Sequence, residues 1–414
     1  MALTLSEAEP NALVKRRPQS FHERILRDNA RRMDNLLQGS GRLVRITIKD
    51  TQAAVVVGDG RQRRGIRPVE FQFESERHAI KALGSLRLYI FAKMYFDGRM
   101  KIIGSFLDAV DIFYLLNIAT DVPQTLREKI ANYALRAAKI VWPKITVRFE
   151  SLEHYSLNPQ LYQLFLDSHM QYTCARFIES SDSLDTAQEN KFNFIASEAE
   201  KLLGPLRGKT MLDVGCGWGG QLAYFKNKFK MKCVGNTNCA PQKDYVETTY
   251  GIDVVYGDFS SIQNKIYDLI TIVGMSEHLS PFRKGSLLRW AHSNLPAGGV
   301  VYLQTIAKPA VWKGGDAYRI AQEYVFPGHF LEYRSELEAR MRDNGFRVVH
   351  VEEGTQDYSR TTALWVEKLQ KNEERICAIV GQRNYRIFVA YLAYASKLFD
   401  DRRGSLLRFI LVKT

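Results

Sequence analysis

Met211-Leu-Asp-Val-Gly-Cys-Gly-Trp-Gly-Gly220 reads as an apolar strand that ends in a glycine-rich turn and opens a helix. In an α/β sheet such a junction lies at the carboxyl end of a strand, where the chain holds nucleotide-like ligands. Gly215, Gly217 and Gly220 satisfy the G-x-G-x-x-G spacing, so the glycines alone admit a dinucleotide pyrophosphate on the helix N-terminus. The next strand argues against that ligand. A NAD site needs an acid about 20 residues on to hold the ribose hydroxyl, whereas Met231-Lys-Cys-Val-Gly-Asn-Thr237 ends in an amide and a hydroxyl.

The β-α alternation continues with Ile252-Asp-Val-Val-Tyr256 running into Gly257-Asp258-Phe259, and with Tyr267-Asp-Leu-Ile-Thr-Ile-Val273 running into Gly-Met-Ser-Glu277-His278. Asn294-Leu-Pro-Ala-Gly-Gly299 then turns a helix into Val300-Val-Tyr-Leu-Gln-Thr-Ile306. Gly345 to Val351 and Leu406 to Val412 complete the strands. A glycine-rich first turn, an acid after each of the third and fourth strands and a Pro-x-Gly-Gly turn resemble the S-adenosylmethionine (SAM) methyltransferase series. The fold implied is α/β, a class I SAM-methyltransferase with a Rossmann-like doubly wound sheet.

The 414 residues suffice for two domains, and 45% apolar with 25% charged residues marks a globular chain rather than a disordered one. A formal charge of +13 points to an anionic partner: a phospholipid surface, nucleic acid or an acidic carrier protein. Basic residues crowd the N-terminal part, in Lys15-Arg16-Arg17, Arg24, Arg27, Arg31-Arg32 and Arg61 to Arg64. They read as a solvated arm or as a membrane-surface patch. No nucleic-acid-binding pattern accompanies them, so nucleic acid is not expected as a partner. No run approaches the roughly 18 to 20 apolar residues that span a bilayer, and no signal peptide opens the chain, so a cytoplasmic or peripheral protein is expected. Cys174, Cys216, Cys233, Cys239 and Cys377 form no C-x-x-C pair; neither a disulfide framework nor a metal site is expected.

Residues 1–40 read as a basic arm with one amphipathic helix from Phe21 to Leu37. Residues 41–145 read as a smaller N-terminal α+β domain. Leu43 to Ile48, Ala53 to Val57 and Val69 to Phe73 suggest a small antiparallel sheet. Helices are expected around Arg87 to Tyr95, Ile103 to Ile118 and Thr125 to Ile140, with a linker near Val141-Trp-Pro-Lys144. The catalytic domain is expected over 150–414, with helices from Ala187 to Leu203 and over about Ala363 to Leu398.

Specific motifs run through this second part: His154-Tyr155, Leu161-Tyr-x-Leu-Phe-Leu-Asp167, Met170-Gln-Tyr-Thr-Cys-Ala175, Gly235-x-Thr237 with Gln242, Met275-x-Glu277-His278, Phe326-Pro-Gly328, Tyr358-x-x-Thr-x-x-x-Trp365 and Tyr391-Leu-Ala-Tyr394. Together with Tyr95-Phe-Asp-Gly98 they resemble the cyclopropane-fatty-acyl-phospholipid synthase and mycolic acid cyclopropane synthase family of SAM-dependent enzymes. The resemblance implies a lipid-associating N-terminal domain and SAM as methyl donor. Tyr172 and Thr173 would meet its methionine end, Asp213, Gly215 and Gly217 would form the cradle, Thr237 and Gln242 would reach the ribose, and Asp258 with Phe259 would flank the adenine.

The same resemblance implies a base site of Cys174, Glu277, Gln304, Ile306 and Tyr358, with bicarbonate as general base. It implies as substrate the unsaturated acyl chain of a phospholipid, a cyclopropane product, and attachment to the anionic inner face of a membrane. A homodimer is left open. Three departures stand out: Gln304 occupies a position where ring-forming members carry histidine, Asn158-Pro159 replaces Gly-Asn, and Lys93 replaces an acid. A glutamine amide cannot carry a proton. Methyl branching without ring closure is therefore the alternative product, and small-molecule N-methylation or a non-catalytic lipid-binding role are the alternative functions. The residues themselves also admit blander roles: Phe259 as core, Thr237 or Glu277 as caps, His278 as a structural hydrogen-bonding residue.

Overall fold

The structure, a computed structural model, describes residues 21–59, 69–119, 158–262, 265–310, 320–321, 323–325 and 329–414. The expected helix over 125–140, the linker at 141–144, His154, Tyr155, residues 326–328 and the basic runs at 15–17 and 61–64 lie outside them. The chain divides into two compact units. Among the described residues the first unit holds those up to Ala119, Ile320 and Gly381–Tyr394, and the second holds the remainder. Residues Gly381–Tyr394 thus pack within the first unit, although they fall inside the range 150–414 expected to be catalytic.

The first unit opens with α1 (Phe21–Leu37). Leu26, Ala30, Met33 and Leu37 recur at helical spacing and are buried, while Arg31 and Arg32 are exposed. Burying Leu26 and Met33 stabilises this packing by about 1.5–3 kcal/mol each. The helical part of the expected basic arm is therefore a docked element of the unit. Four strands, β1 (Leu43–Ile48), β2 (Ala53–Gly58), β3 (Val69–Phe73) and β4 (Met100–Ile103), form a sheet in the order β2-β1-β3-β4. The sheet is mixed, not antiparallel: β1 pairs antiparallel with β2 but parallel with β3. Alternation of apolar residues specifies a strand and its buried face but not its partner's direction.

Helices α2 (Glu76–Ser85), α3 (Leu88–Phe96) and α4 (Phe106–Ala119) cover this sheet. The sequence reading missed α2 and β4, and it began α4 at Ile103, the last residue of β4. Gly104, at φ 110°, breaks the chain between them. Phe113 of α4 stacks on Phe71 of β3 with ring centroids 4.9 Å apart. Gly98 ends the Tyr95-Phe-Asp-Gly98 motif, and a Cβ there would sit 2.7 Å from Arg386 Nη1; that guanidinium lies 5.7 Å over the Tyr95 ring.

The second unit contains α5 (Pro159–Gln163), α6 (Leu184–Leu203), β5 (Thr210–Val214), α7 (Gly220–Lys228), β6 (Lys232–Thr237), α8 (Ala240–Tyr250), β7 (Val254–Tyr256), β8 (Leu269–Val273), α9 (Pro281–Ser293), β9 (Val300–Ala307), α10 (Arg334–Asp343), β10 (Phe346–Glu353), α11 (Thr355–Lys371) and β11 (Ser405–Lys413). The final helix α12 (Glu373–Asp400) is interrupted at Gly381, where φ is 77° and ψ 156°. The strand order is β10-β11-β9-β8-β5-β6-β7. Strands β5 to β9 pair in parallel, and β11 runs antiparallel to β9 and β10. All seven strands expected from the sequence are present.

Leu269-Ile-Thr-Ile-Val273 is buried along its whole length, as a central parallel strand covered on both faces requires. Two apolar clusters flank the sheet, one gathering Phe192, Ile195 and Leu222 and the other Ile272, Leu287 and Phe409. Chain progression reverses between β5 and β8. Their carboxyl ends therefore diverge into a crevice, the place where open α/β sheets bind ligands.

Candidate active site

The turn after β5 is closed by the backbone of β6: the amides of Gly215 and Cys216 both donate to Asn236 O at 2.9 Å. Its glycines have different reasons to be glycine. A Cβ on Gly220 would lie 1.9 Å from the carbonyl oxygen of His169, one on Gly219 2.6 Å from Val246, and one on Gly215 3.0 Å from Met275. A Cβ on Gly217, at φ +55°, would meet nothing within 4 Å. Packing thus excludes a side chain at Gly219 and Gly220 and crowds one at Gly215, while Gly217 alone of the four faces open space.

The segment that crosses Gly220 is bent by a carboxylate. Asp167 accepts from the amides of His169 at 2.9 Å and Gln171 at 3.0 Å, which places Met170 at φ 55°. Tyr172 then packs on Trp365, Phe165 and Tyr162, with ring centroids 5.0, 5.8 and 5.8 Å away. From Thr173 onward the backbone is tied residue by residue. Gln188 Nε2 donates to Thr173 O at 2.9 Å, Gln304 Nε2 to Cys174 O at 3.3 Å, and Arg408 Nη2 to Ala175 O at 2.8 Å. The amide of Ala175 donates to Thr361 Oγ1 at 3.1 Å, and that of Phe177 to Asp357 Oδ1 at 3.2 Å.

Burial pushes the Cys174 thiol up to about 12. It is no nucleophile at neutral pH, and what Cys174 can offer the site is its backbone. Two enclosed charges accompany the segment. Lys191 of α6 donates to Thr173 Oγ1 at 2.7 Å. Arg408 of β11 reaches Glu352 Oε2 at 3.1 Å, Asp357 Oδ2 at 2.8 Å and Gln304 Oε1 at 3.3 Å.

Glu277 stands on the short 3₁₀ turn Ser276–His278 that follows β8. Its Oε2 accepts from Thr305 Oγ1 at 3.1 Å, and a Cβ on neighbouring Gly274 would touch Thr173 Cγ2 at 3.1 Å and Glu277 Oε1 at 4.0 Å. The carboxylate and Thr173 thus share one edge of the crevice. Burial raises Glu277 above the usual carboxylate range, against hydrogen bonds from the Glu277 amide, Thr305 and the Ile306 amide. Ile306 therefore contributes through its backbone.

The Gln304 amide meets Cys174, another member of the expected base site, and its hydrogen bonds run to Cys174 O, Tyr302 and Arg408. Successive residues of a strand point to opposite faces, so Thr305 faces Glu277 while the Gln304 amide turns to Cys174 O. Its Oε1 accepts from Tyr302 Oη at 3.0 Å as well as from Arg408. Tyr358, in the first turn of α11, stacks on Phe399 at 4.6 Å. His278 stacks on His329 at 5.6 Å, and burial with nearby Lys284 pushes it down to about 4. It is neutral at physiological pH, in keeping with a structural role.

On the other side of the crevice, Thr237 Oγ1 donates to Gln242 Oε1 at 2.8 Å, and both are buried. Asp258 caps the turn at Phe259 by accepting from Ser260 N at 3.0 Å, and it pairs with Arg283. Burial alone would raise Asp258, but the Ser260 and Arg283 contacts outweigh it and hold the carboxyl low. Phe259 lies between the Arg283 guanidinium, 4.8 Å over its ring, and Trp290, 5.9 Å away. Asp213 is buried at the end of β5 and accepts from Thr271 Oγ1 at 2.7 Å; burial pushes it up to about 6.

A family profile described as mycolic acid cyclopropane synthetase matches residues 144–409. The chain belongs to this family. It is 30% identical over 271 residues to a Pseudomonas putida protein named "Probable fatty acid methyltransferase", covering 63% of this chain and 68% of that one. It is 28% identical over 289 residues to cyclopropane mycolic acid synthase 3 of Mycobacterium tuberculosis, covering 65% of this chain and 99% of the relative. Among solved structures, the cyclopropane synthase MmaA2 of M. tuberculosis superposes with a TM-score of 0.61 at 26% identity over 65% of this chain and all of that one. The cyclopropane synthase CmaA1, solved with S-adenosylhomocysteine (SAH) and CTAB, gives 0.59 at 26% identity over 64% of this chain and 97% of that one.

The fold is thus that of the class I SAM methyltransferases, and the chain is a SAM-dependent methyltransferase of the mycolic acid cyclopropane synthetase family. The crevice fits that cofactor. Gly217 leaves the backbone open to a ligand, and β6 ends in Asn236 and Thr237 without the acid that a dinucleotide site needs. The family motifs did not disclose Gln188, Lys191, Thr305 or Arg408. A signal for two of them was legible: Lys191 falls on the apolar stripe Ala187, Lys191, Ile195 of a helix, and Arg408 interrupts the apolar strand Leu406 to Val412. A charge on a core-facing stripe has a partner that sequence does not name.

Proposed function

We propose that the protein transfers a methyl group to the double bond of an unsaturated fatty acyl chain in a phospholipid, giving a cyclopropane. The observation that carries this reading is Glu277: an enclosed carboxylate at the carboxyl end of β8, raised by burial and sharing an edge of the crevice with Thr173. Two relatives named for fatty-acid and mycolic-acid modification support an acyl acceptor.

SAM, when bound, supplies an electrophilic methyl group; Tyr172 and Thr173 would hold its methionine end, Asp213, Gly215 and Gly217 its cradle, Thr237 and Gln242 its ribose side, and Asp258 with Phe259 its adenine side. An alkene that accepts a methyl group becomes a carbocation, and ring closure requires loss of a proton from that methyl. Glu277 would take that proton itself, or would hold, with the backbone of Cys174 and Ile306, a bicarbonate that supplies the base. A carboxylate raised toward neutrality is the better base at physiological pH. The aromatic surface of Tyr358 would stabilise nearby positive charge by about 0.5–2 kcal/mol, and the reaction requires that water be kept from quenching the cation.

Methyl branching without ring closure is the second reading: it shares the methyl-transfer step, and Gln304, whose amide donates to Cys174 O and cannot take a proton, adds no second base beside Glu277. N-methylation of small amines ranks below both: a coclaurine N-methyltransferase shares the fold with a TM-score of 0.60, but at 19% identity. The formal charge of +13 and exposed Arg31 and Arg32 support an anionic membrane surface as partner and a location at its cytoplasmic face. No described helix is long and apolar enough to cross a membrane.

The test is incubation with SAM and vesicles of mono-unsaturated phospholipid, followed by acyl-chain mass spectrometry. A gain of one CH2 with the fragmentation of a ring is expected; a branched methylene pattern selects the second reading. Protein that binds SAM yet adds no mass to any unsaturated lipid overturns both.

A further inference from the structure

Lys191 is fully enclosed on α6, and it reaches Thr173 Oγ1 at 2.7 Å as its one hydrogen bond among the described residues. An ammonium carries three donors. Its nearest acids are committed elsewhere: Asp167 to the amides of His169 and Gln171, Asp213 to Thr271. Phe192 and Ile195 beside it are core residues, so an aliphatic side chain would fill the position without enclosing a charge. Burying an ammonium whose one hydrogen bond is to a neutral hydroxyl is costly, even with the Phe192 ring 5.5 Å away. Packing alone therefore does not account for a lysine here.

The consequence lies at Thr173. Its carbonyl is held by Gln188 Nε2 at 2.9 Å and its Oγ1 accepts from Lys191, so the hydroxyl's own proton must point away from Lys191. Thr173 is partly exposed, unlike the buried Cys174 that follows it. Burial lowers Lys191 to about 8, Asp167, Cys174 and Asp213 raising it and Arg408 lowering it further, so it is cationic at neutral pH. A hydroxyl that accepts from a cation is a stronger donor, and it favours an anionic acceptor.

We infer that Lys191 is a positioning residue that acts through the Thr173 hydroxyl to select the carboxylate at the methionine end of the cofactor. The inference rests on Tyr172 and Thr173 facing that end. SAH and its decarboxylated analogue, which keeps the amine and lacks the carboxylate, separate the two questions by titration calorimetry. Thr173→Val is expected to weaken SAH by about ten- to hundred-fold, the loss of one hydrogen bond to a charged group, Lys191→Met by a smaller factor because the hydroxyl stays, and both to leave the analogue's affinity unchanged. The double variant is expected to lose no more than Thr173→Val alone. Equal losses for both ligands, or no loss for SAH, overturn the role of Lys191. Wild-type protein that bound neither ligand would instead overturn the cofactor reading itself. Should Lys191→Met fail to fold, Thr173→Val makes the same contrast with the buried ammonium left in place.

Discussion

Thr305 Oγ1, on strand β9, donates to Glu277 Oε2 on the turn after β8 at 3.1 Å, and itself accepts from Ser276 Oγ at 2.9 Å. Two neighbouring strands thus set the direction of one buried carboxylate. Burial raises Glu277, and the Thr305 hydroxyl opposes that rise.

For a base, activity is lost as pH falls through its pKa. The acidic limb of the kcat/KM profile should therefore lie above the ordinary carboxylate range, and Thr305→Val should move it to still higher pH. A limb that Thr305→Val leaves in place would show that Glu277 is not the titrating base. Glu277→Gln should lower turnover by about 10²–10⁴-fold while SAH affinity stays close to wild type.

Gly217 and Gly220 should respond to alanine in opposite ways. Gly220→Ala drives a methyl into the His169 carbonyl oxygen, where the contact would be 1.9 Å, so the fold should be severely destabilised or fail to express. Gly217→Ala costs about 1–2 kcal/mol for its left-handed backbone but meets no atom within 4 Å. It should fold and lose SAH affinity, read by thermal unfolding beside calorimetry. Normal SAH binding in Gly217→Ala would remove Gly217 from the cofactor cradle.

Arg408 is 1% exposed, whereas Glu352 and Asp357 are 26% and 19% exposed. Removing the cation from a buried ion pair costs about 3–5 kcal/mol; the partial hydration of both carboxylates puts Arg408→Met near the lower end, measurable by urea unfolding. Gln304→Leu strips Tyr302 Oη and Arg408 Nε of their acceptor and should destabilise by about 1–3 kcal/mol. Because Gln304 turns to Cys174 O and not to Glu277, that variant should change stability more than the ratio of ring to branched product. A large shift in the ratio would give Gln304 a direct part in ring closure.

Arg31 and Arg32 are exposed on α1. Reversing both to Glu should weaken binding to anionic vesicles by roughly 1 kcal/mol per charge removed, and added salt should erase the difference. Unchanged vesicle binding would assign these arginines to solubility alone.

The glycine run at Met211 to Gly220 and the spacing of the apolar segments sufficed for the doubly wound sheet, because strand patterning and glycine turns are local properties of the chain. Glu277, Thr173 and Gly217 could be named as candidates for the same reason: each sits in a short motif that sequence alone displays. The direction of β3 relative to β1, the docking of α1 and the separate face of Gln304 were not legible. Alternation marks a buried face without naming what covers it. Why Gly219 and Gly220 are glycines was likewise decided by tertiary contacts, since Val246 and His169 O arrive from distant parts of the sequence. The same holds for Lys191 and Arg408. Sequence marks them as charges on apolar stripes, but only the packed structure joins them to Thr173 and Cys174, because an enclosed charge takes its partner from whatever the fold brings within hydrogen-bond reach.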